Sequence, residues 1–201
     1  MKTEALIIVD YQNDFAEGGS LAVNGARALA PTIQEQMNLT KAASGLIVAT
    51  RDWHPAESVH FAPVGNWPVH CVADTVWADY VAGIDTSMID REIFKGYKNS
   101  DDGYSGFEWN TRLTGDARSG FQVANDSKTL EQILRESNVQ ILKIVWLATD
   151  FCIFATARDA RNLGFDVSVL RSGIAAVNVP GLPSGEDKLR ELADMWIKII
   201  S

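Results

Sequence analysis

Cysteine and histidine are scarce in this sequence of 201 residues, which contains two of the former and three of the latter. Two cysteines are too few for the disulfide framework of a small secreted domain. The first residues, MKTEALIIVD, also lack the long apolar segment and cleavage site of a secretory signal. We therefore expect a cytoplasmic protein in which Cys71 and Cys152 are free thiols.

Long apolar runs and basic clusters are missing as well. No stretch approaches the ~18 apolar residues of a membrane span, so no membrane partner is expected. The 26 acidic residues outnumber the 18 basic ones without a basic block, which argues against nucleic acid as a partner. The remaining expectation is one globular domain, residues 1–201, that acts on a small molecule. The sequence leaves open whether the chain forms a homo-oligomer.

Unbroken β-branched and apolar runs alternate with helical patterns along the chain. Runs of this kind suit strands buried on both faces of a parallel sheet, and they occupy residues 5–10, 45–50, 91–95, 141–149 and 166–170. Helices are predicted over 31–44, from an N-cap at Ser127, over 150–164, and in a tail that places Leu189, Leu192, Ala193 and Trp196 at helical spacing. The end of that tail could also be a sixth strand. The pattern predicts a doubly wound, three-layer α/β domain.

Chemically active side chains stand where the predicted strands end. Asp10, Asp52, Lys95 and Cys152 each end or closely follow a strand, and such ends share one edge of a parallel sheet. Cys152 also begins a helix, where unpaired N–H groups stabilise a thiolate. Asp10 could serve as its base and Lys95 as a neighbouring cation. The alternatives are a capping aspartate, a surface lysine and a buried structural cysteine, which is what we expect of Cys71.

All three histidines fall within residues 51–71, beside an aspartate. Asp52 and His54 are two residues apart, so on an extended segment their side chains point the same way. His60 and His70 can fold back from the loop to complete a site for one divalent ion, with Zn, Fe and Mn all suited to these donors. Aromatic residues flank these positions and could form a pocket for a flat ring, with Phe15 and Trp67 better placed than Trp53 and Tyr104.

Several motifs in this sequence closely resemble the nicotinamidase/pyrazinamidase branch of the isochorismatase-like cysteine hydrolases. They cover most of residues 5–165 in the family's order and read LIIVDYQNDFAEGGSLAV, VATRDWHPAESVHFA, NWPVHC, IFKG, YSGFE and LATDFCIFATARDA. The resemblance implies a three-layer α/β/α fold with a six-stranded, mainly parallel sheet. It also implies hydrolysis of nicotinamide to nicotinate and ammonia, with pyrazinamide as a further expected substrate.

The resemblance assigns roles by motif position. It implies a Cys152 nucleophile, an Asp10 base, a Lys95 partner, and an oxyanion hole made by the N–H groups of Ala148 and Cys152 beside a cis Leu147–Ala148 peptide. The implied metal ligands are Asp52, His54, His70 and, as in part of the family, His60, and the metal would orient the ring through its pyridine nitrogen. The implied ring pocket consists of Phe15, Leu21, Trp67, Tyr104, Leu147 and Phe151.

The sequence departs from the family pattern at three places. Trp146 stands where glycine is usual, Arg171 follows the fifth predicted strand where an acid is common, and residues 112–126 match nothing in the pattern. Three other functions also remain open. They are an amidase for carbamoyl or ureido substrates, a hydrolase that uses metal-activated water with a structural Cys152, and a binding domain with a structural metal.

Overall fold

The computed structural model describes residues 3–98, 103–116, 118 and 120–201, and the structural statements below refer to these. Its eight strands are β1 (Thr3–Val9), β2 (Leu46–Asp52), β3 (Arg91–Lys95), β4 (Leu113–Asp116), β5 (Gly120–Val123), β6 (Val139–Leu147), β7 (Asp166–Ala175) and β8 (Lys198–Ile200). Six of them form one sheet in the order β3-β2-β1-β6-β7-β8, with every neighbouring pair parallel.

Four α-helices cover the two faces of this sheet, namely α1 (Ala30–Ala42), α2 (Leu130–Glu136), α3 (Phe154–Asn162) and α4 (Gly185–Asp194). Alternate residues of β1 show the layers: Ala5 and Ile7 share a buried cluster with α2, α3 and α4, whereas Leu6 and Ile8 share one with α1. The predicted three-layer fold with a six-stranded parallel sheet is therefore confirmed. No helix in the described residues is long and apolar enough to span a membrane.

The strand order creates a crevice beside the first strand. The chain runs from β1 to β2 and β3 on one side, and later places β6 on the other side of β1. Connections that leave β1 and β6 therefore diverge at their carboxyl ends, which is where open α/β sheets bind ligands. Asp10 follows β1, and Cys152 follows β6.

Local details differ from the sequence predictions at several positions. The N-cap of α2 is Thr129 rather than Ser127, because Thr129 makes a capping box with Gln132 and the Ser127 hydroxyl accepts from the N–H of Arg112 (2.8 Å). The helix predicted from Asp150 begins with a π-helical turn, Thr149–Ile153. Trp196 lies beyond α4 and is 83% exposed, so it does not belong to the apolar face of that helix. The tail does end in a sixth strand of the sheet, β8.

The unmatched segment 112–126 contains a second, two-stranded sheet. β4 and β5 pair antiparallel as a hairpin whose residues 117 and 119 lie outside the described part of the chain. An exposed ion pair between Arg112 and Asp126 joins the two ends of the segment. The long region after β3 is therefore partly regular structure, and the sequence pattern did not reveal this.

Candidate active site

Asp10 is held at the end of β1 by the neighbouring strand. Its backbone turns to a φ of +59°, and its N–H donates to the carbonyl of Thr50 (3.0 Å). The Thr50 hydroxyl in turn donates to Asp10 Oδ1 (2.6 Å). This leaves Oδ2 directed at Lys95, whose Nζ lies 3.1 Å away.

Lys95 is completely buried at the centre of the site. Its ammonium donates to Asp52 Oδ1 (2.7 Å) and to the carbonyl of Gly103 (2.5 Å), and it lies 3.7 Å from Cys152 Sγ. A buried ammonium needs compensating partners. The two carboxylates provide that compensation and fix the amine between the cysteine and the histidine loop.

Cys152 occupies the π-helical turn that follows β6, so its sulfur faces the other strand ends. Asp10 and Cys152 both line the same cavity. The peptide between Leu147 and Ala148 is cis, as the resemblance implied. The Ala148 carbonyl accepts from the N–H groups of Phe151 (3.1 Å) and Ile153 (3.0 Å), which closes the turn around the cysteine.

Burial determines the charge states of these groups. It raises the pKa of the Cys152 thiol well above its ordinary value, even though Lys95 opposes the shift. Burial also raises the pKa of Asp10 to about 6, against the lowering effect of Lys95. Burial alone would lower the pKa of Lys95, but Asp10 and Asp52 raise it well above its ordinary value. Burial therefore favours the neutral thiol of Cys152 and opposes the thiolate that a helix terminus would favour.

The three histidines converge on one point beside Lys95. One ring nitrogen from each of His54, His60 and His70 lies within 4.8 Å of the others, and all three residues are buried. His54 Nδ1 is 2.9 Å from the Gly96 carbonyl, and His70 Nδ1 is 2.8 Å from the Pro68 carbonyl. Each contact leaves Nε2 for another ligand. Burial lowers the pKa of His70, which favours the neutral imidazole that a metal requires.

Asp52 joins the cysteine half of the site to the histidine half. While Oδ1 binds Lys95, Oδ2 lies 3.7 Å from His54 Nε2 and 3.9 Å from His70 Nε2. Burial would raise the pKa of Asp52, but Lys95 and the histidines lower it well below its usual range. Its carboxylate is therefore anionic and is shared between a cation and a histidine cluster.

A small, largely apolar cavity opens between these two halves. Its lining contains all six residues of the implied ring pocket, namely Phe15, Leu21, Trp67, Tyr104, Leu147 and Phe151, together with Cys152 and Asp10. The indole N–H of Trp67 donates to the Tyr104 hydroxyl (3.0 Å). Trp53 is not in this lining and packs edge-on against Phe94, beneath Arg51.

Val177 lines the cavity as well, and the sequence reasoning missed it. The Asp150 carboxylate holds it there by accepting from the N–H of Val177 (3.0 Å) and of Asn178 (2.7 Å). The acid two residues before the cysteine was the available signal in the sequence. Cys71 is buried outside the cavity, and its N–H donates to the Asp14 carboxylate (2.6 Å).

The two single-residue departures from the family pattern have separate structural accounts. Trp146 adopts a φ of +91°, a conformation that favours glycine, and its buried ring packs 4.2 Å from that of Tyr11 on the α1 side of the sheet. The unusual residue therefore keeps the glycine-like backbone. Arg171 forms an exposed ion pair with Glu186 at the start of α4 and does not reach the cavity.

The chain belongs to the isochorismatase family, because residues 4–183 match the isochorismatase domain. It is 38% identical to the nicotinamidase/pyrazinamidase of Mycobacterium tuberculosis over 192 residues, which is 92% of this chain and 94% of that protein. Its structure resembles the pyrazinamidase of Pyrococcus horikoshii in complex with zinc, with a TM-score of 0.81 and 34% identity over 98% of both chains. PnC1 of L. infantum in complex with nicotinate gives a TM-score of 0.82 and 32% identity over 100% of this chain and 93% of that one.

Proposed function

We propose that this protein is a metal-dependent cysteine amidohydrolase that converts nicotinamide and water to nicotinate and ammonia. The observation that carries the proposal is one cavity with Cys152 and Asp10 on one side and two of the clustered histidines, His60 and His70, on the other. A carboxamide at the thiol and a ring nitrogen at the histidines are the two ends of this substrate. Pyrazinamide has the same two ends and is proposed as a second substrate.

Bond cleavage is assigned to the cysteine half of the site. Cys152 Sγ attacks the carboxamide carbon while its proton passes to Asp10, which lines the same cavity. The N–H groups of Ala148 and Cys152 stabilise the oxyanion, and one such donor is commonly worth ~3–4 kcal/mol. Asp10 then protonates the leaving nitrogen, the C–N bond breaks, and ammonia departs from a thioester.

The second half of the reaction regenerates the thiol. Water attacks the thioester carbon and gives a proton to Asp10, the C–S bond breaks, and Asp10 returns that proton to sulfur. Lys95 stays charged throughout, because its pKa is raised by Asp10 and Asp52 despite burial. It thereby keeps Asp10 anionic between proton transfers.

The histidine half fits a single divalent ion, with Zn, Fe and Mn as candidates. The three imidazoles offer converging nitrogens, and His54 Nε2 is buried without a hydrogen-bond partner in the described residues. We assign His54, His60, His70 and Asp52 as the residues that hold it. When bound, the ion supplies a Lewis-acid contact that orients the substrate ring. The side chains of Trp67 and Phe15 would then form protein walls of the ring site.

An ammonia-release assay tests the proposed activity. Metal-free protein is given Zn, Fe or Mn in turn, followed by nicotinamide, pyrazinamide or a carbamoyl substrate. We expect ammonia from the two aromatic amides and only with metal added. Release from the carbamoyl substrate alone would assign the protein to another branch of amidases.

Gly96→Ala is expected to weaken metal binding by about 10–100-fold, as loss of support behind a ligand commonly does. A Cβ at Gly96 would lie 2.3 Å from His54 Cε1 and 2.6 Å from its Nδ1, so the ring must move. Gly25→Ala is the matched control, because Gly25 also has a positive φ (+81°) but open space around it. Cobalt absorption spectra of the two variants measure the effect, and equal cobalt affinity would contradict it.

The rate of hydrolysis is expected to fall on the acid side with an apparent pKa near that of Asp10, about 6. Below that pH Asp10 is protonated and cannot accept the Cys152 proton. Thr50→Val removes the hydroxyl that donates to Asp10 Oδ1, which disfavours the carboxylate and raises its pKa. We expect the acid limb of kcat/KM to move upward by about one pH unit. An unmoved limb would mean that a different group controls it.

We also propose that residues 1–201 form a single domain and that the protein acts in the cytoplasm. Both helical layers pack on one sheet, which supports the first point. The buried free thiols of Cys71 and Cys152 suit a reducing compartment, which supports the second.

A further inference from the structure

The Gln12 side chain takes the place of a missing strand beside the end of β2. Thr50 and Asp52 direct their backbone groups toward β1, since residues two apart on a strand face the same neighbour. Thr50 is still paired, because its carbonyl accepts from the N–H of Asp10. β1 ends at Val9, however, so Asp52 has no strand opposite it on that side.

Gln12 forms hydrogen bonds to both backbone groups of Asp52, its N–H and its carbonyl. It is fully buried, and its Oε1 accepts from the N–H of Asp52 (2.7 Å). Its Nε2 donates to the carbonyls of Asp52 (2.8 Å) and Ala78 (2.9 Å). The side-chain amide of Gln12 therefore makes the two hydrogen bonds to Asp52 that a neighbouring strand would make, and it forms three hydrogen bonds in all.

Asp52, whose backbone Gln12 holds, is also the residue whose carboxylate is shared between Lys95 and the histidines. Asp52 has Lys95 at 2.7 Å from one oxygen and the Nε2 atoms of His54 and His70 at 3.7 and 3.9 Å from the other. A small shift of its backbone would detach it from both sides. We propose that Gln12 is a positioning residue that holds Asp52 in register between Lys95 and the metal site. This inference rests on the proposed metal site.

Asn13 provides a matched comparison, because it anchors the same loop without touching Asp52. Its exposed Nδ2 donates to the Val76 carbonyl (2.8 Å), two residues before Ala78. If Gln12 merely fastened the loop, Asn13→Ala and Gln12→Met would have similar effects. If Gln12 positions Asp52, only the Gln12 variant affects the site.

The first measurement is zinc affinity of the metal-free proteins, in competition with a coloured chelator. Gln12→Met is expected to raise the zinc Kd by about 10–100-fold, and Asn13→Ala to leave it within about twofold. Equal affinities for wild type and Gln12→Met would overturn the proposal, as would an equal loss in Asn13→Ala. A wild-type protein that binds no zinc would instead remove the metal site from the proposed function.

The second measurement needs no metal and so decides the role of Gln12 in either case. In metal-free protein, hydrogen exchange at the Asp52 backbone amide is expected to be at least about tenfold faster in Gln12→Met and unchanged in Asn13→Ala. Unchanged exchange in Gln12→Met would overturn the proposal.

If the Gln12→Met protein does not fold, a third measurement, made on the wild type, tests the proposal instead. The Gln12 side-chain amide protons should exchange much more slowly than those of Asn13. Equal exchange would mean that Gln12 does not clamp Asp52.

Discussion

Cys152→Ala is expected to abolish nicotinamide hydrolysis while leaving bound metal at its wild-type amount. The sulfur forms the covalent intermediate, and removing a nucleophile of this kind commonly costs at least about 10⁴-fold in kcat. The metal should stay, because the assigned ligands are an aspartate and three histidines, and Cys152 contacts Lys95 instead. Ammonia release and zinc content measured on the same preparation check both halves of this expectation.

The second cysteine supplies the control for Cys152→Ala. Cys71 is also buried and free, and the hydrogen bond it gives to Asp14 comes from its backbone N–H, which alanine retains. Cys71→Ala should therefore keep its activity within a few-fold. Turnover retained in Cys152→Ala would reject the thioester route and favour a hydrolase that uses metal-activated water.

Comparing Cys152→Ala with Asp10→Asn also shows at which step of the reaction Asp10 is needed. Burial favours the neutral thiol of Cys152, and a neutral thiol must lose its proton as it attacks. Cys152→Ala and Asp10→Asn should therefore fail at the same step, and neither should release ammonia in the first turnover. A first-turnover burst from Asp10→Asn would show that Asp10 is needed only for hydrolysis of the thioester.

The sequence alone was enough to predict most of the fold and most of the residues gathered at the site. Buried parallel strands appear as unbroken apolar runs, and their carboxyl ends must share one edge. Asp10, Asp52, Lys95 and Cys152 can therefore be grouped from the sequence alone. His60 and His70 could be added only because the chain has so few histidines and places them in one loop.

Other features depended on contacts that no local pattern contains. Val177 reaches the cavity through two hydrogen bonds to Asp150, 27 and 28 residues away along the chain. The raised pKa of Cys152 follows from its burial by distant segments. The position of Asp52 depends on the Gln12 amide, which in sequence resembles any polar residue after a strand.

Lys95→Met is expected to be the most destabilising substitution in the site. The ammonium is fully buried between Asp10 Oδ2 at 3.1 Å and Asp52 Oδ1 at 2.7 Å. Methionine fills a similar volume but leaves two buried carboxylates without their cation. Removing one partner of a buried ion pair commonly costs about 3–5 kcal/mol, so the free energy of unfolding should fall by about that amount. Urea denaturation of the metal-free protein measures it.

A second substitution tells whether the stability lost in Lys95→Met comes from uncompensated charge or from altered packing. Combining Lys95→Met with Asp52→Asn removes one of the two buried carboxylate charges that lack a cation. The double variant should recover part of the lost stability without restoring hydrolysis. Lys128→Met is the surface control, because its exposed ion pair with Glu136 should contribute no more than about 1 kcal/mol. If Lys95→Met were as stable as the wild type, the two carboxylates would not depend on Lys95 for compensation. The shared role of Asp52 would then have to be abandoned, because Lys95 is the only contact that ties its carboxylate to the cysteine half among the described residues.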